Sequence, residues 1–311
     1  MGTSSRHSRP GRAAWRHSRP GRAAWRHSRL WGPRALAAVG VGAILVLGAV
    51  PAGATTTPVG YDISFPQCSG HPPHYPANPA FAIVGVNAGL GANNPCLGPW
   101  RGQAGELAWA ADAAGLSTQP RVSYYVNAGD PGPGAAGWPG TSTGRPQHCA
   151  GTWSNACAYD YGYLGAANSL HLARFLAAVD RWDKVPVADP MGAPWWLDVE
   201  TGPPWATVGD PGGLAPNVAA IAGFVDGLRA GGVRLDRIGF YSTTFQWRHI
   251  TGLDASTSRA YFSPLHPDWV PGARSLEQAR SACRPAKSFS GGPVTMTQYE
   301  AGGFDADYRC P

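Results

Sequence analysis

Short runs of β-branched and aromatic residues alternate along this chain with stretches of helical periodicity. The runs with strand character are residues 61–65 (YDISF), 81–87 (FAIVGVN), 121–127 (RVSYYVN), 195–200 (WWLDVE), 237–243 (RIGFYST) and 294–299 (VTMTQY). Such alternation is typical of βα units and predicts an α/β fold. Because no break in composition divides residues 55–311, we expect one barrel domain rather than two small domains.

Three helices are predicted between these strands. Residues 103–114 end at Gly115, and residues 164–182 place four apolar side chains on one face: Leu172, Phe175, Leu176 and Val179. Asn217 is the expected N-cap of the third helix, which ends at Gly231 and has its apolar positions at Val218, Ile221, Val225 and Leu228. Residues 260–293 are rich in turn formers and are predicted to be irregular.

The N-terminal segment has the organisation of a secretory signal peptide. Residues 35–50 are apolar and uncharged, nine arginines and no acidic residue precede them, and a small-residue site follows at 52–54. We expect cleavage after Ala54, leaving residues 55–311, with an uncleaved membrane anchor as the alternative. The formal charge of +6 comes from this segment. It therefore gives no reason to expect a nucleic-acid partner.

All the cysteines follow the predicted cleavage site. An even number in an exported chain predicts three disulfides among Cys68, Cys96, Cys149, Cys157, Cys283 and Cys310. Local pairing would join Cys68 to Cys96, Cys149 to Cys157 and Cys283 to Cys310, although other connectivities are open. No two of them form a C-x-x-C pair, so we expect no metal site.

Carboxylates at strand ends are the candidate chemistry. Residues two apart share a face of a strand, so Trp196, Asp198 and Glu200 point to one side. Asp62 lies in the first predicted strand and Asp305 just after the last, and in a closed barrel these strands are neighbours. Clustered carboxylates repel one another, which raises the pKa of at least one and supplies a general acid. The alternative is a set of structural acids satisfied by arginine and backbone donors.

Aromatic residues near strand ends are compatible with a sugar ligand, because sugar rings pack on aromatic planes. Trp196 and Tyr241 are the strongest candidates, and ordinary core packing is the alternative for most of the others.

Four segments, GYDIS, WWLDVE, IGFYST and QYEAGGFDADY, resemble in order those of glycoside hydrolase family 25, the secreted lysozymes that cleave peptidoglycan. The resemblance implies a TIM-like (β/α) barrel with fewer helices near its end. It implies Glu200 as the proton donor, with three further acids in the site, Asp62, Asp198 and Asp305. It also implies Tyr125, Gln298 and Asp307 as substrate-binding positions, where Asp307 replaces a frequent asparagine.

Several segments depart from that family's pattern, namely residues 86–89, 125–127, 261–264 and 297–299. We therefore expect a divergent, cysteine-rich relative that is a secreted monomeric glycosidase. Its expected partner is peptidoglycan or a related polysaccharide, with no cofactor, no metal, no nucleic acid and no stable membrane anchor after cleavage. A catalytically inactive barrel that binds cell-wall glycan is the alternative.

Overall fold

The computed structural model describes residues 58–63, 66–68, 74–89, 92–141, 146–179, 187–262 and 266–311. The predicted signal segment and its cleavage site lie outside the described residues. In the part of the chain that is described, no helix is long and apolar enough to cross a membrane.

A closed barrel of eight strands forms the centre of the fold. Its strands are β1 (Gly60–Ile63), β2 (Ala82–Gly85), β5 (Val122–Asn127), β6 (Trp195–Asp198), β7 (Ile238–Tyr241), β8 (Asp268–Ala273), β9 (Val294–Ala301) and β10 (Phe304–Arg309). Around the barrel they are arranged in the order β1-β10-β9-β8-β7-β6-β5-β2. Neighbours pair in parallel except β10, which is antiparallel to both β9 and β1. A short hairpin of β3 (Asn87–Gly89) and β4 (Ala92–Asn93) lies outside the barrel. The predicted TIM-like fold is confirmed.

Helices cover the barrel unevenly. The described helices are α1 (Glu106–Ala111), α2 (Asn155–Val179), α3 (Ala215–Ala230), α4 (Thr244–Thr251), α5 (Ala255–Tyr261) and α6 (Leu276–Ala282). The two long ones, α2 and α3, follow β5 and β6. Within residues 266–311, β9 is joined to β10 without a helix between them, so the expected reduction of helices near the C-terminus is present.

Glycines make room for aromatic rings inside the barrel. A Cβ on Gly85 would lie 2.5 Å from Tyr125 Cζ, and a Cβ on Gly239 would lie 2.4 Å from Trp196 Cζ3. Because glycine has no side chain, large aromatic rings from neighbouring strands can fill the interior at these positions. The interior of an eight-stranded barrel is only wide enough for side chains to fill it. Tyr125 and Trp196 are packed there with Trp269 in one buried cluster.

Close packing of α2 on α3 also depends on glycine. A Cβ on Gly162 would meet the backbone oxygen of Ala220 at 2.1 Å, and one on Gly223 would meet that of Tyr159 at 2.0 Å. The buried face of α2 is built from mostly small residues, including Ala166, Leu170, Ala173 and Ala177. The predicted apolar face of this helix is only half confirmed: Leu172 and Leu176 are partly buried against the core, whereas Phe175 is 57% exposed and Val179 is 40% exposed.

The start of α3 also differs from the prediction. The helix begins at Ala215, and Asn217 is buried in its first turn rather than capping it. The Asn217 side chain binds the backbone of Ala206 in both directions and donates to the Ile250 carbonyl oxygen. Asn217 therefore joins three segments of the chain by hydrogen bonds instead of capping the N-terminus of α3.

The C-terminal third has more regular structure than the sequence predicts. Residues 260–293 contain β8 and α6, although β8 carries Pro271 and Gly272, which disfavour a strand. Asp305 lies within β10 rather than in a loop after the last strand. It is β10, not β9, that pairs with β1 and closes the barrel.

Three disulfides are present, which confirms the prediction. They join Cys68 to Cys96, Cys149 to Cys157 and Cys283 to Cys310, the local pairing among the connectivities that the sequence leaves open. The last of these links the end of α6 to the residue after β10.

Candidate active site

A cavity of about 420 Å³ opens where the parallel strands end. Three of its lining residues, Asn127, Asp198 and Tyr241, are the last residues of β5, β6 and β7. In α/β barrels this end of the strands is where active sites form. The whole lining consists of Asp62, Tyr125, Asn127, Asp198, Glu200, Gly202, Pro203, Tyr241, Trp269, Gln298 and Asp305.

The four predicted catalytic acids lie in this one cavity. Asp62 and Asp305 are direct partners across the antiparallel pair of β1 and β10. Asp198 is the last residue of β6 and Glu200 follows it two positions later. Residues far apart in the sequence are thus brought together by closure of the barrel.

Glu200 is half-buried at the edge of the cavity and is held from two sides. Its Oε1 lies 3.4 Å from Nε2 of Gln246, which donates to it. Its backbone oxygen accepts a hydrogen bond of 2.7 Å from the indole of Trp205. The carboxyl is therefore oriented while it stays open to the cavity.

A chain of hydrogen bonds crosses the cavity from β7 to β1. The Tyr241 hydroxyl donates to Gln298 Oε1 at 2.9 Å, and Gln298 Nε2 donates to Asp62 Oδ2 at 2.9 Å. Because the tyrosine fixes the amide orientation, Gln298 presents its donor to Asp62. Tyr125 also lines the cavity, and its hydroxyl donates to the carbonyl oxygen of Ile63.

Two residues predicted to bind substrate lie behind the cavity lining. Trp196 is 3% exposed and packs against Trp269 at 5.6 Å between ring centroids. Asp307 is fully buried on β10, opposite Gly60 of β1 and Gln298 of β9. Of the predicted substrate-binding set, Tyr125, Tyr241 and Gln298 are the three that line the cavity.

Three further residues of the site were missed by sequence reasoning. Gln246 is the N3 residue of α4, whose N-cap is Thr243. The T-x-x-Q pattern of a capping box could have indicated both the helix and this glutamine. Trp269 lies on β8, in the stretch predicted to be irregular.

Asn127, the third of them, is tied to Asn87 by reciprocal hydrogen bonds. Asn127 N donates to Asn87 Oδ1 at 2.8 Å, and each side-chain amide donates to the other residue's backbone oxygen at 3.1 Å. Both asparagines lie in segments that depart from the family pattern. The departures are thus a coupled pair that joins the ends of two strands beside the cavity.

Burial and repulsion by neighbouring carboxyls raise the pKa values of Asp62, Asp198 and Glu200. The pKa of Asp62 rises from 3.8 to about 8, first because the group is buried and then because Asp305 is close. Burial, and then the charges of Glu200 and Asp62, raise the pKa of Asp198 well above its ordinary value. Burial also raises the pKa of Glu200, against the hydrogen bond from Gln246, which lowers it. None of the residues lining the described cavity is Lys or Arg, so protons rather than cations balance this cluster.

The described residues contain no group of three or more His, Cys, Asp or Glu side chains placed to share a metal ion.

No protein-family model matches the sequence, and no curated protein matches it. Two solved structures are similar in part. One is the modular Cpl-1 endolysin in complex with a peptidoglycan analogue, at 15% identity and a TM-score of 0.41, covering 81% of this chain and 54% of that one. The other is the catalytic domain of endolysin ply40 from bacteriophage P40 of Listeria monocytogenes, at 14% identity and a TM-score of 0.38, covering 83% of this chain and 95% of that one. This chain thus spans about half of the Cpl-1 chain, and at these TM-scores neither similarity carries over a function.

Proposed function

We propose that the protein is a glycoside hydrolase that cleaves the glycan strands of peptidoglycan or a related polysaccharide. The observation that carries this proposal is the convergence of Asp62, Asp198, Glu200 and Asp305 in one cavity at the strand ends. Glycosidic bonds are cleaved by carboxyl groups, one of them protonated and another ionised. The ordered resemblance of four segments to glycoside hydrolase family 25 supports the same assignment.

Glu200 is the proposed general acid. It is half-buried, its pKa is raised by burial, and Gln246 orients it toward the cavity. A raised pKa keeps the proton on the group near neutral pH, which is what protonating the leaving oxygen requires.

Asp198 is proposed to stabilise the positive charge that develops on the sugar, or to orient an N-acetyl group that itself attacks. It is opposite Asn127 on β5 and Tyr241 on β7, so its side chain lies between those two. Asp62 and Asp305 are proposed to tune the protonation of the cluster and to position water.

The proposal is tested by adding purified protein to a peptidoglycan suspension and following turbidity together with release of reducing ends. A hydrolase lowers the turbidity and creates reducing ends. A glycan-binding barrel, which the altered ends of β2 and β5 would favour, sediments with the polymer without creating any. Absence of both activities would reject the two functions together.

Export is a further part of the proposal, supported by the signal-like N-terminal sequence and by the three disulfides, which persist in oxidising compartments. We propose that the exported protein begins at Thr55. N-terminal sequencing of protein recovered from culture medium tests this, and a protein that retains residues 1–54 in the cell would contradict it.

A further inference from the structure

One carboxyl group of the cluster has no contact with the cavity. Asp307 is fully buried on β10, and within the described structure neither of its carboxyl oxygens accepts a hydrogen bond of ordinary length from an N–H or O–H donor. Its register partners are Gly60, which has no side chain, and Gln298, whose amide is used by Asp62 and Tyr241. Asp307 therefore lies beneath the site, on the same inward face of β10 as Asp305.

A buried carboxylate without a cation is costly, so Asp307 is expected to keep its proton. The polar groups that act on it are the carboxyls of Asp62 and Asp305 and the indole of Trp269. Asp62 lies opposite Asp305 on β1, two residues from Gly60, which is the register partner of Asp307. Two neighbouring buried carboxyls cannot both ionise readily, so Asp62 and Asp307 behave as a pair that retains at least one proton.

The hydrogen-bond donors around each carboxyl group determine whether Asp62 or Asp307 keeps that proton. Asp62 accepts a hydrogen bond from Gln298, and such a donor stabilises an anion. No side-chain amide donates to Asp307, and the Trp269 indole, which acts to lower the pKa of Asp307, does not reach it at ordinary hydrogen-bond distance. Their mutual contact lowers the pKa of Asp62 and raises that of Asp307, as expected when Asp307 is the donor.

We propose that Asp307 is a positioning residue that stays protonated and donates its proton in a hydrogen bond to Asp62, so that Asp62 is the group of the pair that ionises. This inference rests on the proposed function and assigns Asp307 a role without substrate contact. A neutral carboxyl and a carboxamide have similar shape and both donate. Asp307→Asn should therefore preserve the role, whereas Asp307→Leu should abolish it.

The test compares the pH dependence of glycan cleavage in wild type, Asp307→Asn and Asp307→Leu, with Asp112→Asn on the exposed surface as control. Asp307→Asn should retain kcat within about threefold and keep the acidic limb of the profile in place. Asp307→Leu removes the donor, so the pKa of Asp62 rises and the acidic limb should move to higher pH by about one unit, with kcat at least about tenfold lower.

If Asp307 served packing alone, its variants would change in yield or melting temperature while the acidic limb of the pH profile stayed in place. That result would overturn the proposal. Loss of activity in Asp307→Asn equal to that in Asp307→Leu would also overturn it, because the group would then need to ionise. Carboxyl ¹³C NMR titration of Asp62 in the same proteins reports the same shift without turnover. This titration tests the hydrogen bond from Asp307 to Asp62 even if the wild type cleaves no glycan. In that case only the proposed function would fail.

Discussion

Asp62 and Asp305 face each other across the pair of β1 and β10. This contact exists because the last strand runs antiparallel to its neighbours and closes the barrel. Two carboxyls at a direct cross-strand position repel each other, and no lysine or arginine lines the described cavity beside them. The strands are held in this arrangement by the rest of the barrel, and the charge of Asp305, after burial, raises the pKa of Asp62 to about 8. Asp62 therefore keeps its proton to a higher pH than an isolated carboxyl does.

Gln246 should influence the pH at which activity is lost on the alkaline side, because it contacts the proposed general acid, Glu200. It donates to the Glu200 carboxylate and so lowers the pKa of that group. In Gln246→Leu the anion loses this donor, its pKa rises, and the alkaline limb of the rate profile should move to higher pH by about half a unit. Gln147→Leu on an exposed loop is the matched control. A limb that stays in place in Gln246→Leu would show that Glu200 does not set it.

Glu106 should make the stability depend on pH independently of the cavity. This fully buried residue accepts from Gln67 N and from the Asn94 amide, yet burial raises its pKa from 4.5 to about 7. The folded state therefore holds this proton more tightly than the unfolded state. Its stabilising contribution is complete below about pH 4.5 and is lost as the pH rises through about 7, a change of roughly 3 kcal/mol.

Glu106→Gln should flatten that slope in urea unfolding curves measured from pH 4 to pH 8. The substitution also removes one acceptor, so the variant should be less stable at low pH. Its slope, rather than its absolute stability, tests the assignment. An unchanged slope would contradict it.

Gly223→Ala should destabilise the fold, because the new Cβ would lie 2.0 Å from the backbone oxygen of Tyr159 and backbone cannot move aside as a side chain does. We expect a loss of about 2 kcal/mol or more in the free energy of unfolding. Gly209→Ala, whose Cβ would have 3.9 Å to its nearest neighbour, should be close to neutral. Equal stability of the two variants would contradict the close approach of α2 and α3.

The disulfides should differ in their contributions. In the chain-entropy model, the bond between Cys283 and Cys310, which spans 27 residues, contributes about 3.5 kcal/mol. The bond between Cys149 and Cys157 spans 8 residues and contributes about 2.5 kcal/mol. Serine double variants compared by denaturant unfolding test this order. Mass mapping without reduction should find no free thiol among the six cysteines, and one alkylated cysteine would refute the assignment.

The sequence predicts the parts of this fold that follow from local pattern, and it misses those decided by packing. Residues 195–198, the strand β6, are recognisable because alternation is visible in the chain itself, although the predicted strand extends to Glu200, which follows β6. The bounds of α2 are not recognisable in this way, since many residues of its buried face are small, such as Gly162, Ala166 and Ala173, and their burial depends on the facing helix. Similarly, β8 contains Pro271 and Gly272 and is a strand because its neighbours in the barrel require one.

For the site, the acids could be anticipated because barrel closure brings the first and last strands together. A raised pKa for at least one of them could also be anticipated from their clustering, but how far the pKa of each is raised could not, because that depends on how deeply each group is buried. Asp305 and Asp307 share one strand and one face, yet Asp305 lines the cavity and Asp307 lies beneath it. Gln246 and Asn127 act through hydrogen bonds whose partners are distant in the sequence.

The hydrolytic role of Glu200 is tested most directly by counting new reducing ends when purified peptidoglycan glycan strands are incubated with wild type and with Glu200→Gln. The exposed Glu277→Gln is the control. Wild type and Glu277→Gln should release reducing ends at similar rates. Glu200→Gln should still bind the strands but cleave them at least about a hundredfold more slowly. Cleavage by Glu200→Gln at the wild-type rate, or strands bound by the wild type and left intact, would contradict the assignment of this carboxyl cluster as a hydrolytic site.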